Sequence, residues 1–126
     1  MTSFRPSNLL IKATLVLVAL LSSMLSISNA QASERSTQAW QALAQGATLI
    51  DVRTIQEFEQ EHLSGALHIP LSDISTMANS LDPSATVVVY CRSGNRASHA
   101  KQTLHDMGFK QVINGGGLEE MKASKP

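Results

Sequence analysis

Thr86-Val87-Val88-Val89-Tyr90-Cys91-Arg92-Ser93-Gly94-Asn95-Arg96-Ala97 is the stretch from which the fold is read. Residues 86–90 are β-branched and aromatic, so they read as a buried strand. From Ala97 the apolar residues Ala97, Ala100, Leu104 and Met107 recur at helical spacing, and Gly108 follows as a stop. The chain's one cysteine, Cys91, therefore stands in a short strand-to-helix loop. Such a loop gathers backbone N–H groups at a helix N-terminus, which favours an anion. The same field favours a nucleophilic thiolate. Arg92 and Arg96 add positive charge on either side.

Outward from this loop, strands and helices alternate. Residues 36–44 read as a helix with Trp40 and Leu43 on one face, and Trp40 is expected as a core or helix-docking anchor. Residues 48–52 read as a strand and 55–61 as a short acidic helix with Phe58 as its apolar contact. Residues 66–69 read as a strand stopped by Pro70. Residues 71–81 suggest a helix or helical turn with Ile74, Met77 and Ala78 inward, followed by a turn at Asp82-Pro83-Ser84. Residues 111–113 form a last short strand, 114–117 a flexible loop, and 118–122 a final helical turn. This order predicts an α/β domain with a small, mainly parallel sheet flanked by helices. In such sheets ligands bind at the carboxyl ends of strands, which is where Cys91 lies. The glycines Gly115 to Gly117 are expected to border the same rim.

The first residues read differently. Residues 1–12 carry Arg5 and Lys12 and no acid, and residues 13–27 are an almost unbroken apolar run. Ser28-Asn29-Ala30 and Ala30-Gln31-Ala32 both fit a small-x-small cleavage site. This layout predicts a secretory signal peptide over residues 1–30, cut after Ala30 or Ala32, and a single domain over 33–126. The apolar run is short for a membrane span and serine-rich at its end, unlike an uncleaved anchor. In a Gram-negative cell, export means the periplasm. The remaining part, about 95 residues, suffices for one small domain. It holds eight basic and ten acidic residues, a net charge of −2. It has no basic stripe for nucleic acid and no further apolar segment for a membrane.

One cysteine in an exported chain cannot form an intramolecular disulfide, so the fold must stand without a staple. Its place before a glycine-containing, arginine-flanked loop points to a working thiol rather than an inert core residue. A lone cysteine without clustered histidines argues against a structural zinc site, and neither a metal nor a cofactor is expected.

Three blocks resemble the single-domain rhodanese family of sulfurtransferases. Leu49-Ile50-Asp51-Val52-Arg53, then Glu57-Phe58 and His62-Leu63-Ser64-Gly65-Ala66-Leu67-His68-Ile69-Pro70, form the first. Val88 to Ala97 is similar to the family's active-site loop. Leu104, Gly108-Phe109, Val112 and Gly115-Gly116 are similar to its closing block. Together they cover the chain from about Trp40 to Met121. The chain departs from the family at Glu61, where Gly is usual, at Ser64, where Pro is usual, and at Met121, where many members carry Trp. These positions bear on local packing more than on chemistry.

The resemblance implies a rhodanese-like fold and a mechanism. Cys91 would be the catalytic residue, attacking the sulfane sulfur of thiosulfate, releasing sulfite and becoming a persulfide. An acceptor, cyanide or a thiol, would then take the sulfur. The loop Arg92, Ser93, Gly94, Asn95 and Arg96 would bind the substrate. Its amides would stabilise the anion, and Arg92 and Arg96 are candidates to hold substrate oxygens, with bracing of the loop an alternative task for Arg96. Asp51 and Arg53, at a strand end, are expected to pair and support the rim. His62 and His68 are expected to satisfy turn or core hydrogen bonds. His99, His105 and the acidic residues Glu57, Glu59, Glu61, Glu119 and Glu120 are expected on solvated faces. The expected partners are a small sulfur donor and its acceptor, with the domain a monomer.

Two other readings share the loop logic. Cysteine phosphatases place five residues between Cys and Arg, whereas four lie between Cys91 and Arg96 here, and Tyr90 stands where they usually have His. Arsenate reduction would want a resolving cysteine, which the chain lacks. A persulfide carrier that delivers sulfur to a protein partner would use the same loop chemistry.

Overall fold

The computed structural model describes residues 8–126, with side chains outside residues 17–33. The expected leader's charged start at Arg5, and the side chains of both candidate cleavage sites, lie outside the described residues. The chain divides into two units, Met1–Gln31 and Ala32–Pro126. The first holds the N-terminal part of helix α1 (Asn8–Ala44), where Leu9, Leu10, Ile11, Leu15 and Val16 are exposed. Among the described residues no helix is long and apolar enough to cross a membrane.

The second unit is built on a four-stranded sheet in the order β2-β1-β3-β4, with every pairing parallel. The strands are β1 (Thr48–Asp51), β2 (Leu67–His68), β3 (Val87–Cys91) and β4 (Val112–Gly117). Parallel neighbours cannot be joined by hairpins and need crossovers. Helix α2 (Ile55–Gln60) joins β1 to β2, and α4 (Asn95–Asp106) joins β3 to β4. Between β2 and β3 runs α3 (Ile74–Met77), flanked by 3₁₀ turns at Leu71–Asp73 and Ala78–Ser80, and α5 (Leu118–Ala123) follows β4. After β1 the chain moves to one edge of the sheet, and after β3 to the other. That reversal opens a crevice at the carboxyl ends of β1 and β3, where Asp51 and Cys91 stand.

Side-chain alternation divides the core into two layers. β3 is buried at every position. Its Val87, Val89 and Cys91 pack with Ile50, Ile74, Ala100 and Leu104 on the α3 and α4 side. Val88 and Tyr90 pack with Ala39, Leu49, Leu118 and Met121 on the α1 and α5 side. Burying each large aliphatic side chain contributes about 1.5–3 kcal/mol, and with Cys91 free these layers hold the fold without a disulfide. Trp40 is the anchor expected of it: its indole N–H donates to the Met121 carbonyl at 2.7 Å, docking the end of α1 on α5.

Two expectations fail. The run Asn114 to Gly117 is not a flexible loop but the end of β4, with a register shift opposite Val89 and Tyr90. The glycines serve close approach. A Cβ on Gly115 would stand 2.7 Å from Met121 Sδ, and one on Gly117 would collide with the Arg92 carbonyl. Gly115 is the residue skipped in the register, and Gly116 follows it at φ +96°. Met77, expected inward, is 47% exposed. α3 is a single turn, and only its Ile74 and the following Ala78 reach the core.

Gly117 has ordinary extended backbone angles, φ −95° and ψ 164°, so alanine there tests crowding alone. Gly117→Ala should lower stability by about 1–3 kcal/mol. Urea unfolding measures this, and an unchanged midpoint would show that the strand can move away from Arg92 at no cost.

Candidate active site

Only Arg92, Ser93 and Gly94 separate β3 from α4. Gly94 turns the chain at φ +95°, a conformation that side chains with a Cβ resist. It is the N-cap of α4 and has no side chain to cap the helix's free amides. The sulfur of Cys91 takes that place. It accepts the Gly94 N–H at 3.0 Å and the Ala97 N–H at 3.5 Å. The second amide is the one that an N-cap serine or aspartate would ordinarily take. Cys91 is 1% exposed, so its sulfur sits under the loop with its hydrogen bonds supplied by backbone.

Arg96 does not reach into the loop as a free cation. Its guanidinium is forked on Glu57, Nη1 to Oε2 at 2.7 Å and Nη2 to Oε1 at 2.8 Å. Glu57 also closes a capping box with Thr54 at the start of α2. The Arg96 hydrogen bonds, helped by those from Thr54, hold the Glu57 carboxyl well below its ordinary range, at about 2. Glu57 is thus no solvated helix face. The sequence did carry a signal for it: Thr54-x-x-Glu57 is a capping-box pattern.

Asp51 and Arg53 form the expected pair. Arg53 Nε lies 3.0 Å from Oδ1 and Nη2 2.7 Å from Oδ2, with Asp51 fully buried. Arg53 also donates to the Glu61 carbonyl at 2.6 Å and lies 5.7 Å over the Tyr90 ring. Tyr90 Oη accepts the Leu63 N–H at 3.0 Å. Burial, reinforced by the Asp51 carboxylate, pushes the Tyr90 hydroxyl pKa up, so it stays a neutral strut. His62 and His68 both stack on the Phe58 ring. Their ring nitrogens lie 2.8 Å from the carbonyl oxygens of Phe58 and Arg53 respectively. His99 and His105 are exposed on α4.

Arg92, Ser93 and Asn95 are exposed. Among the described residues Arg92 makes no ion pair. With Arg53, Glu57, Gln60, Leu118 and Glu119 it lines a cleft of about 370 Å³. A larger cleft of about 430 Å³, lined largely by Gln38, Gln41, Gln45 and Gln111, lies at the amino ends of the strands, away from Cys91. Among the described residues no group of His, Cys, Asp and Glu could hold a metal ion.

Two residues behind the loop were not read from the sequence as parts of it. Asn114 Nδ2 donates to the Gly94 carbonyl at 3.0 Å. Arg35 donates to the Ser93 carbonyl at 3.3 Å and pairs with Glu120 at 2.7 Å. Glu120 is therefore no solvated carboxylate, in contrast to Glu119, whose side chain is 79% exposed. Nothing local in the sequence connects Arg35 to a loop 58 positions away.

The sequence pattern described as Rhodanese-like domain matches residues 35–124. The thiosulfate sulfurtransferase PspE of Escherichia coli (strain K12) is 40% identical over 78 residues, 60% of this chain and 75% of that protein. YrkF of Bacillus subtilis (strain 168), named as a candidate sulfur carrier, is 41% identical over 66 residues; these are 52% of this chain but only 36% of YrkF. The solved structure of a rhodanese with anions from E. coli is similar at a TM-score of 0.58 and 37% identity, covering 64% of this chain and 95% of that one.

The Glu57–Arg96 pair has a pH signature. A carboxyl lowered from 4.5 to about 2 on folding stabilises the fold fully above pH 4.5, and that contribution is lost as pH falls toward 2. Glu57→Gln should therefore be less stable than the wild type above pH 4.5, with the difference closing near pH 2. Urea midpoints across that range measure it. A difference independent of pH would mean that the carboxylate's charge is not what holds Arg96.

Proposed function

The chain belongs to the rhodanese-like domain family, and we propose that it is a sulfurtransferase moving the sulfane sulfur of thiosulfate through a Cys91 persulfide to a thiophilic acceptor. The observation that carries this reading is the pair of backbone N–H groups on Cys91 Sγ. They are donors fixed in place before reaction, aimed at an atom that is anionic as thiolate. Removing a preorganised donor of this kind costs about 3 kcal/mol in other enzymes.

The chemistry proceeds in two displacements. The Cys91 thiolate attacks the outer sulfur of thiosulfate. A bond forms between the two sulfurs, the S–S bond of thiosulfate breaks, and its electron pair leaves with sulfite. Cyanide or a thiolate then attacks the outer sulfur of the persulfide. The Cys91 thiolate departs, and thiocyanate or a new persulfide is released.

The ion pairing supports a division of work between the two loop arginines. Arg96 is neutralised by Glu57 and holds the loop to α2. Arg92 is exposed beside the cleft and is the cation available to the donor's oxygens. Asp51 and Arg53 stiffen the end of β1 beneath it. A sulfur under a loop this short favours a small donor over a phosphoester, which supports sulfur transfer over a phosphatase. The reading as an exported protein, cut after Ala30 or Ala32, belongs to the proposal and rests on Arg5, Lys12, the apolar run and the small residues that follow.

Intact mass of the purified protein tests the cycle and the leader together. Thiosulfate should add about 32 Da, one sulfur, and cyanide should remove it. Cys91→Ser should abolish both the gain and turnover while the protein stays folded. A gain that persists in Cys91→Ser would sink the mechanism, and an untreated mass retaining residues 1–30 would sink the export reading. Arg92→Ala should raise the KM for thiosulfate by roughly tenfold, the loss of one charge-assisted contact of about 1.5 kcal/mol. Its thermal midpoint should barely move, and an unaltered KM would remove Arg92 from the donor site.

A further inference from the structure

The peptide unit joining Ser93 to Gly94 is gripped at both ends. A trans peptide points its C=O and N–H in opposite directions. The N–H end donates to Cys91 Sγ at 3.0 Å. The C=O end accepts Nη2 of Arg35 at 3.3 Å. Arg35 lies on α1 and is itself fixed by Glu120, Nε to Oε1 at 2.8 Å and Nη2 to Oε2 at 2.7 Å. Glu120 in turn accepts the Gly117 N–H at 3.2 Å, and Gly117 is the register partner of Cys91. The guanidinium lies flush against Gly94, where an added Cβ would stand 2.8 Å from Nη1 and Nη2.

We propose that Arg35 is a positioning residue for sulfur transfer, holding the back of the 93–94 peptide so that its amide is aimed at, and polarised toward, the sulfur of Cys91. This deepens the sulfurtransferase reading and rests on it. A cation on the carbonyl strengthens the donor at the other end of the same peptide, because linked hydrogen bonds polarise one another. The strengthened amide favours the anionic form of Cys91 before attack and when the thiolate departs. Arg35 acts through the peptide, while Arg92 remains the residue offered to the donor's oxygens. The charged groups around Cys91 are accounted for on each side. Arg96 with Glu57 stands on the α4 and α2 side, Arg35 with Glu120 on the α1 and α5 side, and Asp51 with Arg53 at the end of β1.

The test is the pH dependence of Cys91 alkylation by iodoacetamide, measured on the whole purified protein without any sulfur donor. It is independent of the persulfide mass gain, so a failure here is distinguishable from a failure of the sulfurtransferase reading. Arg35→Met should move the profile to higher pH and slow alkylation at pH 7 by about three- to tenfold, the worth of one hydrogen bond. The KM for thiosulfate should stay near the wild-type value. Arg35→Met combined with Glu120→Gln separates the grip from the carboxylate left behind. A double variant as slow as the single supports the proposal. One whose profile returns to the wild type's overturns it, since the orphaned Glu120 was then the cause, and so does an unshifted single variant. Should the methionine variants not fold, Arg35→Gln decides alone. Glutamine removes both the charge and the fork, so a profile moved to higher pH supports the grip and a wild-type profile overturns it.

Discussion

A sulfur atom that accepts two backbone amides sets the terms for the rest of this domain. Amides point where the backbone points them, so the three residues after Cys91 have to be held in one conformation. The strand beneath, the helix ahead and the second layer behind all contribute to that. Gly94 supplies the left-handed turn. Asn114 and Arg35 hold the carbonyls that face away from the sulfur. Gly117 lets β4 come against the Arg92 carbonyl. The loop is short because little chain is needed when its surroundings are this crowded.

The charges are arranged so that structure and chemistry do not compete. Arg53, Arg96 and Arg35 each meet a carboxylate at 2.7 Å, and each pair ties together parts of the site frame: the end of β1, α2 to α4, and α1 to α5. Paired in this way they act as braces and add little net charge. Arg92, by contrast, is exposed and without an ion pair among the described residues. In the cleft that it lines, Arg53 is committed to Asp51 and Glu57 to Arg96, which leaves Arg92 as the cation there without a carboxylate partner.

The sheet and the sulfur loop were legible in the sequence because their signals are local. Residues 87–91 are a β-branched run ending in the cysteine, and the helix after it repeats Ala97, Ala100 and Leu104 at helical spacing. The Asp51–Arg53 pair was legible too, since two positions on one strand end cannot be far apart. What escaped were the long-range partners. Glu57 looked like one acid among three, because its task is set by Arg96, 39 positions away. Glu120 and Arg35 meet over 85 positions, and no periodicity encodes such a meeting. Gly115 to Gly117 were misread for a related reason: glycine signals freedom in an isolated chain, whereas here Met121, Glu120 and Arg92 occupy the space a side chain would need.

The sheet's two margins carry a consequence for how the protein behaves in company. Exposed strand edges are templates on which other chains can add and begin to aggregate. One margin here, β2, is only Leu67–His68. The other, β4, ends in a bulged glycine run whose last residues are buried under α1, α5 and the sulfur loop. Neither offers a long, flat ladder to a neighbouring chain. A small domain without a disulfide opens from time to time, and margins this poor as templates give it a way to close again before it is trapped in company.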